Sequence, residues 1–425
     1  MAVDRFQFFP GAIQISDVII SNGIDKSDIT DWFKELNLES SVDTLAVNAQ
    51  FVIDDAVNFL HSYRPNAGDD ISIKISYADE VKHFSFKVLE IAGMADYQRQ
   101  RSYILNCVSH FYYLGMYKEV AAAHTGTTSE IAKKIFNKHS YFEKSNIWEQ
   151  SVGVEKLVVP KLSVNDTMRW LARKSTWAKD SVRMKFFQDS NLKYNFMPIE
   201  KSIEMYTNEP AFEYTYNLVA STIGPEQLPN SIDTYKAVKD LTYHENQFNI
   251  KTALESGRIA GTRFAPNIVT KKYRPVTYDY FDSFDKQKHL NPLPQFNKFN
   301  FEGGVNQFDI NSSYTQNTPN DLNKVSDASN IKVSNIDLSQ AVDIEVVGNQ
   351  SVDVGQIIQL NISSPEPVSE SRKGKLDTRY SGRYFVYNKR DVYSDRNTHK
   401  MALTLIKESQ MSSVLWCIQV KWYGL

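Results

Sequence analysis

The chain has 425 residues, with 48 Lys and Arg against 50 Asp and Glu, and a formal net charge of -2. That balance excludes capture of nucleic acid or anionic lipid by charge alone, and 42% hydrophobic with 12% aromatic residues excludes a disordered chain. Two cysteines, Cys107 and Cys417, make neither a disulfide framework nor a metal set and fit a reducing compartment.

The length predicts two to four domains. The N-terminus carries Asp4, Pro10 and Asp17 where a signal peptide needs a clean apolar run, and no stretch is long and apolar enough to span a bilayer. The expectation is a chain made in the cytoplasm, with no membrane insertion. Ile13 to Ile20 reads as a first strand. Asp28 to Glu35 is ambiguous: Ile29, Trp32, Phe33 and Leu36 have helical spacing, and a strand running on into Leu36 and Leu38 fits equally. Leu45, Val47, Ala49, Phe51 and Ile53 alternate as a half-buried strand, after which Asp54 and Asp55 are placed to cap a short helix through Leu60. Gly68 to Ile75 reads as a strand. Phe84 to Ser109 reads as a hairpin with its turn around Asp96 to Arg99, completing an antiparallel unit near Tyr113.

The character changes after Met116. Thr128-Ser129-Glu130 opens a helix with Ile131, Ile135 and Phe136 on one face; Asn165-Asp166 is the expected cap of a second, with Met168, Leu171, Ala172 and Ser175 inward. Val182 to Phe187 and Leu192 to Met197 make a hairpin about Asp189-Ser190-Asn191. Strands resume from Val238 to Tyr280, with a break or bend expected at Ile259 to Arg263. Phe281 to Ser339 is Asn-, Asp- and Ser-rich, a polar excursion too long for a simple loop and placed here as lying partly extended, with a neighbour as one surface for it. A β-unit resumes at Val342. Gly355 to Ile362 parallels Gly68 to Ile75, each a glycine, a polar residue and a short strand. A charged loop, Glu366 to Thr378, precedes a final hairpin from Ser381 to Ser409 that turns at Ser394 to Asn397. Three successive elements thus recur in the same order, which predicts an internal duplication. Val414 to Leu425 is an apolar tail that must dock, on its own chain or on a partner.

The search for chemistry is negative. The eight histidines have no metal-ligand spacing, and neither HExxH nor a phosphate-cradling glycine loop occurs. His399, in the final hairpin, is expected in a hydrogen-bonded structural role, and Cys107 as a buried inert thiol. Thr125 to Ser129 precedes a helix, where capping explains its composition as fully as an anion site does. The adjacent acids Asp54-Asp55 and Asp69-Asp70 point apart and suit turns rather than a glycosidase pair. The basic run Arg372 to Lys375 is too short to argue nucleic-acid binding. No catalytic, cofactor-binding or metal residue is nominated.

Three stretches carry a family resemblance: Asp28 to Ser41 with Phe51 to Ala56 and Gly68 to Asp70; Trp170 to Arg173 with Met184 to Asp189 and Tyr194 to Phe196; and Ser381 to Val386 with His399 to Leu405. Together they resemble the baseplate hub proteins of contractile-tailed bacteriophages, whose barrels are similar to those of tail tubes and type VI secretion spikes. The resemblance implies an α+β, β-dominated fold of two similar antiparallel tube-like β-barrels, with an intervening α+β module and a long polar insertion. It makes Asp28 to Leu38 a strand. The implied domains are a first barrel over 1–116, a helix-hairpin module over 117–236, a second barrel over 237–410 with the insertion at 281–339, and a docking tail over 411–425. The implied function is structural, without enzymatic turnover. A homotrimer forms a pseudo-sixfold ring in the virion tail baseplate, joining the tail tube protein to the central spike protein beside other baseplate proteins, and viral DNA passes without specific binding. The alternative is a tail-associated carbohydrate- or peptidoglycan-cleaving protein, for which Glu213 is an acid to test. The insertion and the tail have no counterpart in that pattern.

Overall fold

The computed structural model describes residues 11–77, 80–97, 100–140, 144–177, 183–216, 231–244, 251, 259–267, 272–284, 288–296, 305–308, 340–364, 376–395 and 397–411. β-Strands dominate, and among the described residues thirteen of them join one hydrogen-bonded sheet, antiparallel but for one parallel pair. Its first half contains β1 (Gln14–Ser21), β2 (Phe33–Ser41), β3 (Asn48–Asp55), β4 (Asp70–Ser76), β5 (Val81–Tyr97) and β6 (Gln100–Val108), with the short strand Lys26–Asp28 on the outer edge of β1. Its second half contains β7 (Glu213–Tyr216), β8 (Val238–Tyr243), β9 (Gln340–Val347), β10 (Ile357–Ile362), β11 (Gly382–Ser394) and β12 (Thr398–Lys407).

The first half is ordered β2-β3-β6-β5-β4-β1 and the second β8-β9-β12-β11-β10-β7, which is one order used twice. The correspondence reaches single residues. Gly68 and Gly355, both at positive φ (96° and 82°), each donate to a valine carbonyl, Val88 at 2.8 Å and Val386 at 2.9 Å. A bulge follows each valine, before Glu90 in β5 and before Asn388 in β11. A second shared bulge separates Phe33 from Glu35 in β2 and Val238 from Asp240 in β8. Bulges bend and twist strands, so a pair at equivalent places gives both halves the same curvature. The halves differ at one edge: β1 meets β4 antiparallel, whereas β7 meets β10 parallel.

Alternation builds two cores. Ile71, Ile73 and Ile75 of β4 face Phe51, Phe86 and Leu105 in the first, and Ile358, Leu360, Tyr384, Leu403 and Leu405 centre the second. Between them in sequence lies the helical stretch: α1 (His110–Tyr117), α2 (Thr128–His139), α3 (Val164–Lys174) and α4 (Ile199–Met205), with the short hairpin Lys185–Gln188 and Tyr194–Met197. Phe111, Phe136, Phe186, Tyr194 and Phe196 form its aromatic core, with ring centroids 5.0–6.3 Å apart. No helix among the described residues is long and apolar enough to cross a membrane.

Several expectations need correction. The stretch after Asp28 is neither a helix nor one strand. Thr30 N–H bonds to Asp28 Oδ1 (2.9 Å) and Phe33 N–H to Ile29 O (3.1 Å), so a turn separates the short strand Lys26–Asp28 from β2. Ser163, not Asn165 or Asp166, caps α3, accepting from Asp166 N–H at 3.0 Å, while Asn165 is buried and donates to Tyr112 O. The expected break at Ile259 to Arg263 is instead the start of a strand, Ala260–Asn267, paired with Lys272–Asp279 and with Val305–Phe308. Part of the polar excursion folds back on its own chain. Leu293–Pro294 pairs with Ser409–Gln410, and Asn291 brackets Arg383, accepting from its N–H (3.0 Å) and donating to its carbonyl (3.1 Å). Most of the charged loop and all of the tail from 412 lie outside the described residues.

Candidate functional site: the seam between the two halves

The halves meet where β11 leaves the second core. Past its bulge, Asn388 to Ser394 pairs antiparallel with Ser41 to Glu35 of β2, so one strand belongs to both sets. The bulge reverses which side chains point inward, and Lys389, Asp391 and Tyr393 become the buried ones. Lys389 Nζ lies 3.1 Å from Asp391 Oδ2, with both side chains no more than 2% exposed. His399 Nε2 lies 2.8 Å from Asp391 Oδ1, and its ring stacks on Tyr393 at 4.4 Å. Tyr77 of the first half donates to Tyr393 Oη at 3.1 Å. Gly348 leaves room for this imidazole: a Cβ there would stand 2.1 Å from the His399 ring.

The turn of the short hairpin plugs the same seam. Lys389 Nζ donates to Ser190 Oγ (3.0 Å); Ser190 N–H and Oγ donate to Asp353 at 3.0 and 2.9 Å, and Asn191 Nδ2 donates there at 3.0 Å. Lys82 Nζ of β5 reaches Asn191 Oδ1 at 2.5 Å, and Gln188 Oε1 accepts from Val47 N–H at 3.0 Å. Phe187 and Met197 pack into the second core, while Leu192 packs against the first. One four-residue turn therefore touches both halves.

Electrostatics decide how the cluster is held. Burial opposes the charge on Lys389, but Asp391 and Asp353 outweigh it and raise its pKa; burial likewise opposes the Asp391 carboxylate, which Lys389 and His399 hold below the usual range. Burial and then the Asp353 carboxylate push Asp189 up to about 7, against donation by Lys193 and Asn191 N–H and the Asn195 amide. Removal of one partner of such a buried ion pair is costly, because the other charge is left buried alone.

The residues singled out by sequence fall elsewhere, with one exception. His399 has the expected hydrogen-bonded role, inside this cluster. Cys107 is buried in β6, its thiol pushed up by burial. Thr127 and Glu130 form a capping box on α2 (Oγ1 from Glu130 N–H at 3.3 Å, Oε2 from Thr127 N–H at 3.1 Å), which puts a carboxylate where an anion would bind. Asp55 accepts from Val57 and Leu60 N–H at the one-turn helix Phe59–Ser62, while Asp54 accepts from Ser102 Oγ; both end β3 rather than sit in a turn. Asp69 accepts from Asn66 N–H, and Asp70 pairs with Lys87 and His110. Glu213 is exposed and accepts from Asn361 across β7 and β10. Among the described residues, no group of three or more His, Cys, Asp or Glu is placed to hold a metal. The Lys389–Asp391 pair was missed, though the alternation Lys-x-Asp-x-Tyr on a strand carried a signal.

No family model matches the sequence, and no curated protein matches it. The structure, by contrast, resembles solved ones along nearly its whole length. A tail protein from Neisseria meningitidis MC58 superposes with a TM-score of 0.54 at 10% identity, covering 93% of this chain and 96% of that one. The 43 kDa tail protein of prophage MuSo2 from Shewanella oneidensis gives 0.54 at 7% identity, covering 93% and 98%. With 93% of the chain covered in each superposition, the chain has the fold of these tail proteins.

Proposed function

We propose that this chain is a structural hub component of the baseplate of a contractile phage tail, and that it acts by assembly rather than turnover. Each half of the sheet is one tube-like barrel. The first occupies 1–116 and the second 237–410, with 117–236 as the module between them, 281–339 as the insertion and 411–425 as a docking tail. Within this division β7 crosses from the module to pair with the second barrel. The observation that carries the reading is the strand order used twice in one chain, down to shared bulges. Three such chains present six similar units, the arrangement needed to join a sixfold tail tube to a threefold spike. Other baseplate proteins surround the ring, and viral DNA passes along the bore, which a net charge of -2 does not oppose by strong attraction. The site of action is the virion tail. Mass photometry at micromolar concentration tests the reading: a species at three times the 48.7 kDa chain is expected. A single chain both in solution and in assembled particles overturns it.

A further inference from the structure

The second half shows what covers the outer edge of its fifth strand. β10 pairs with β11 only as far as Phe385, and from Asn388 onward that edge is taken by β2. In the first half β4 pairs with β5 only as far as Lys87, and Asp69 closes on Val88. From Glu90 to Tyr97 the equivalent edge of β5 has no strand on it among the described residues. It is a poor edge to leave open: Ile91, Ala92, Gly93, Met94 and Ala95 carry no charge, and Met94 is 60% exposed. Edges of this kind are templates for further pairing. The strand equivalent to β2 is β8, whose outer edge from Val238 to Tyr243 carries no strand among the described residues, with Lys239, Asp240, Thr242 and Tyr243 exposed.

We infer that β8 of one copy pairs antiparallel with Glu90–Tyr97 of the next, repeating between chains the β2–β11 seam made within each chain. The register follows from the shared bulges. Val88 stands where Val386 does, so Ala92 stands where Arg390 does. Leu38 faces Ala49 in β3 as Tyr243 faces Val342 in β9, so His244 stands where Glu39 does. Arg390 faces Glu39 within the chain; hence Ala92 faces His244 of the neighbouring copy. One extra residue between Ala92 and Ala95 then puts Ala95 where Val392 stands, opposite Thr242 of that copy. The contact is head-to-tail, a heterologous interface that makes a ring when its rotation closes.

This pairing rests on the ring reading above, and the test separates the two. In a Cys417→Ser background, Ala92→Cys with His244→Cys, and separately Ala95→Cys with Thr242→Cys, are oxidised in assembled particles and run without reductant. Both matched pairs are expected to give chains linked up to a covalent trimer, reversed by reductant. Each single variant and the crossed combinations, Ala92→Cys with Thr242→Cys and Ala95→Cys with His244→Cys, are expected to link at least about tenfold less, because directly opposed Cβ atoms lie about 4.5–5.5 Å apart. Trimers by mass photometry with neither matched pair linking overturn the strand pairing and leave the ring. Single chains by both measurements overturn the ring itself. Two matched pairs guard against one variant failing to fold.

Discussion

Replacing Lys389 with Met probes the seam most sharply. The substitution keeps the volume of the stem and removes the charge, so Asp391 stays buried with His399 as its remaining hydrogen-bond partner, and Ser190 Oγ loses a donor. Breaking a buried pair from one side costs about 3–5 kcal/mol. For a chain of this size, with a urea slope of about 3 kcal/mol/M, that lowers the midpoint of the transition in which the seam opens by about 1–1.7 M. Adding Asp391→Asn removes the stranded charge while leaving an acceptor for His399, and should return at least half of the loss. The pair also fixes a pH window. Asp391 is depressed, so its contribution is present above the ordinary carboxylate range near pH 4 and lost as pH falls through its lower folded value; Lys389 is raised, so its contribution is lost only above about pH 10. The cost of Lys389→Met should therefore be present at pH 9 and shrink as pH falls, because Asp391, left buried without its lysine, takes up a proton more readily. A loss under about 1 kcal/mol, or no recovery in the double variant, would refute a seam held by this pair.

Other expectations follow from the same structure. Gly348→Ala drives a methyl into the His399 ring and should cost about 2 kcal/mol or more in urea unfolding. Lys407 is buried with its ammonium donating to Arg379 and Ser381 carbonyls, and burial brings it down to about 7. Its unfolded form binds the extra proton between about pH 7 and 10, so the stability of the native chain should rise across that range by up to about 1.4 kcal/mol per pH unit, a slope that Lys407→Met abolishes. Asp189, raised to about 7, gives the opposite sign. The folded state holds the proton longer, so stability falls from about pH 4 to 7, and Asp189→Asn should flatten that stretch of the curve.

How far the sequence carried these conclusions varies by element. β4, β6, β10 and β12 were legible because one face is buried and period-two alternation survives along most of each strand. The turn at Ile29 to Trp32 was not, because Ile29 and Phe33 are both buried and four residues apart, which reads as a helix until Asp28 is seen closing the turn. The bulges were also invisible. At Val386–Asn388 one extra residue flips the inward face, and a Lys and an Asp that read as solvent positions become the buried pair. The parallel Gly68 and Gly355 strands did reveal the repeat, since both glycines sit at positive φ where a side chain is strained. That β11 bridges both halves depends on pairing across some 350 residues, which no local pattern encodes.

The central claim is that one chain supplies two equivalent units and that three chains complete the ring. Cryo-electron microscopy of the assembled tail, viewed down its axis, measures this directly. Six similar lobes contributed by three copies, with each β8 seated against the next copy's β5, is the predicted map. Six copies contributing one lobe each, or a lone copy off the axis, would contradict it.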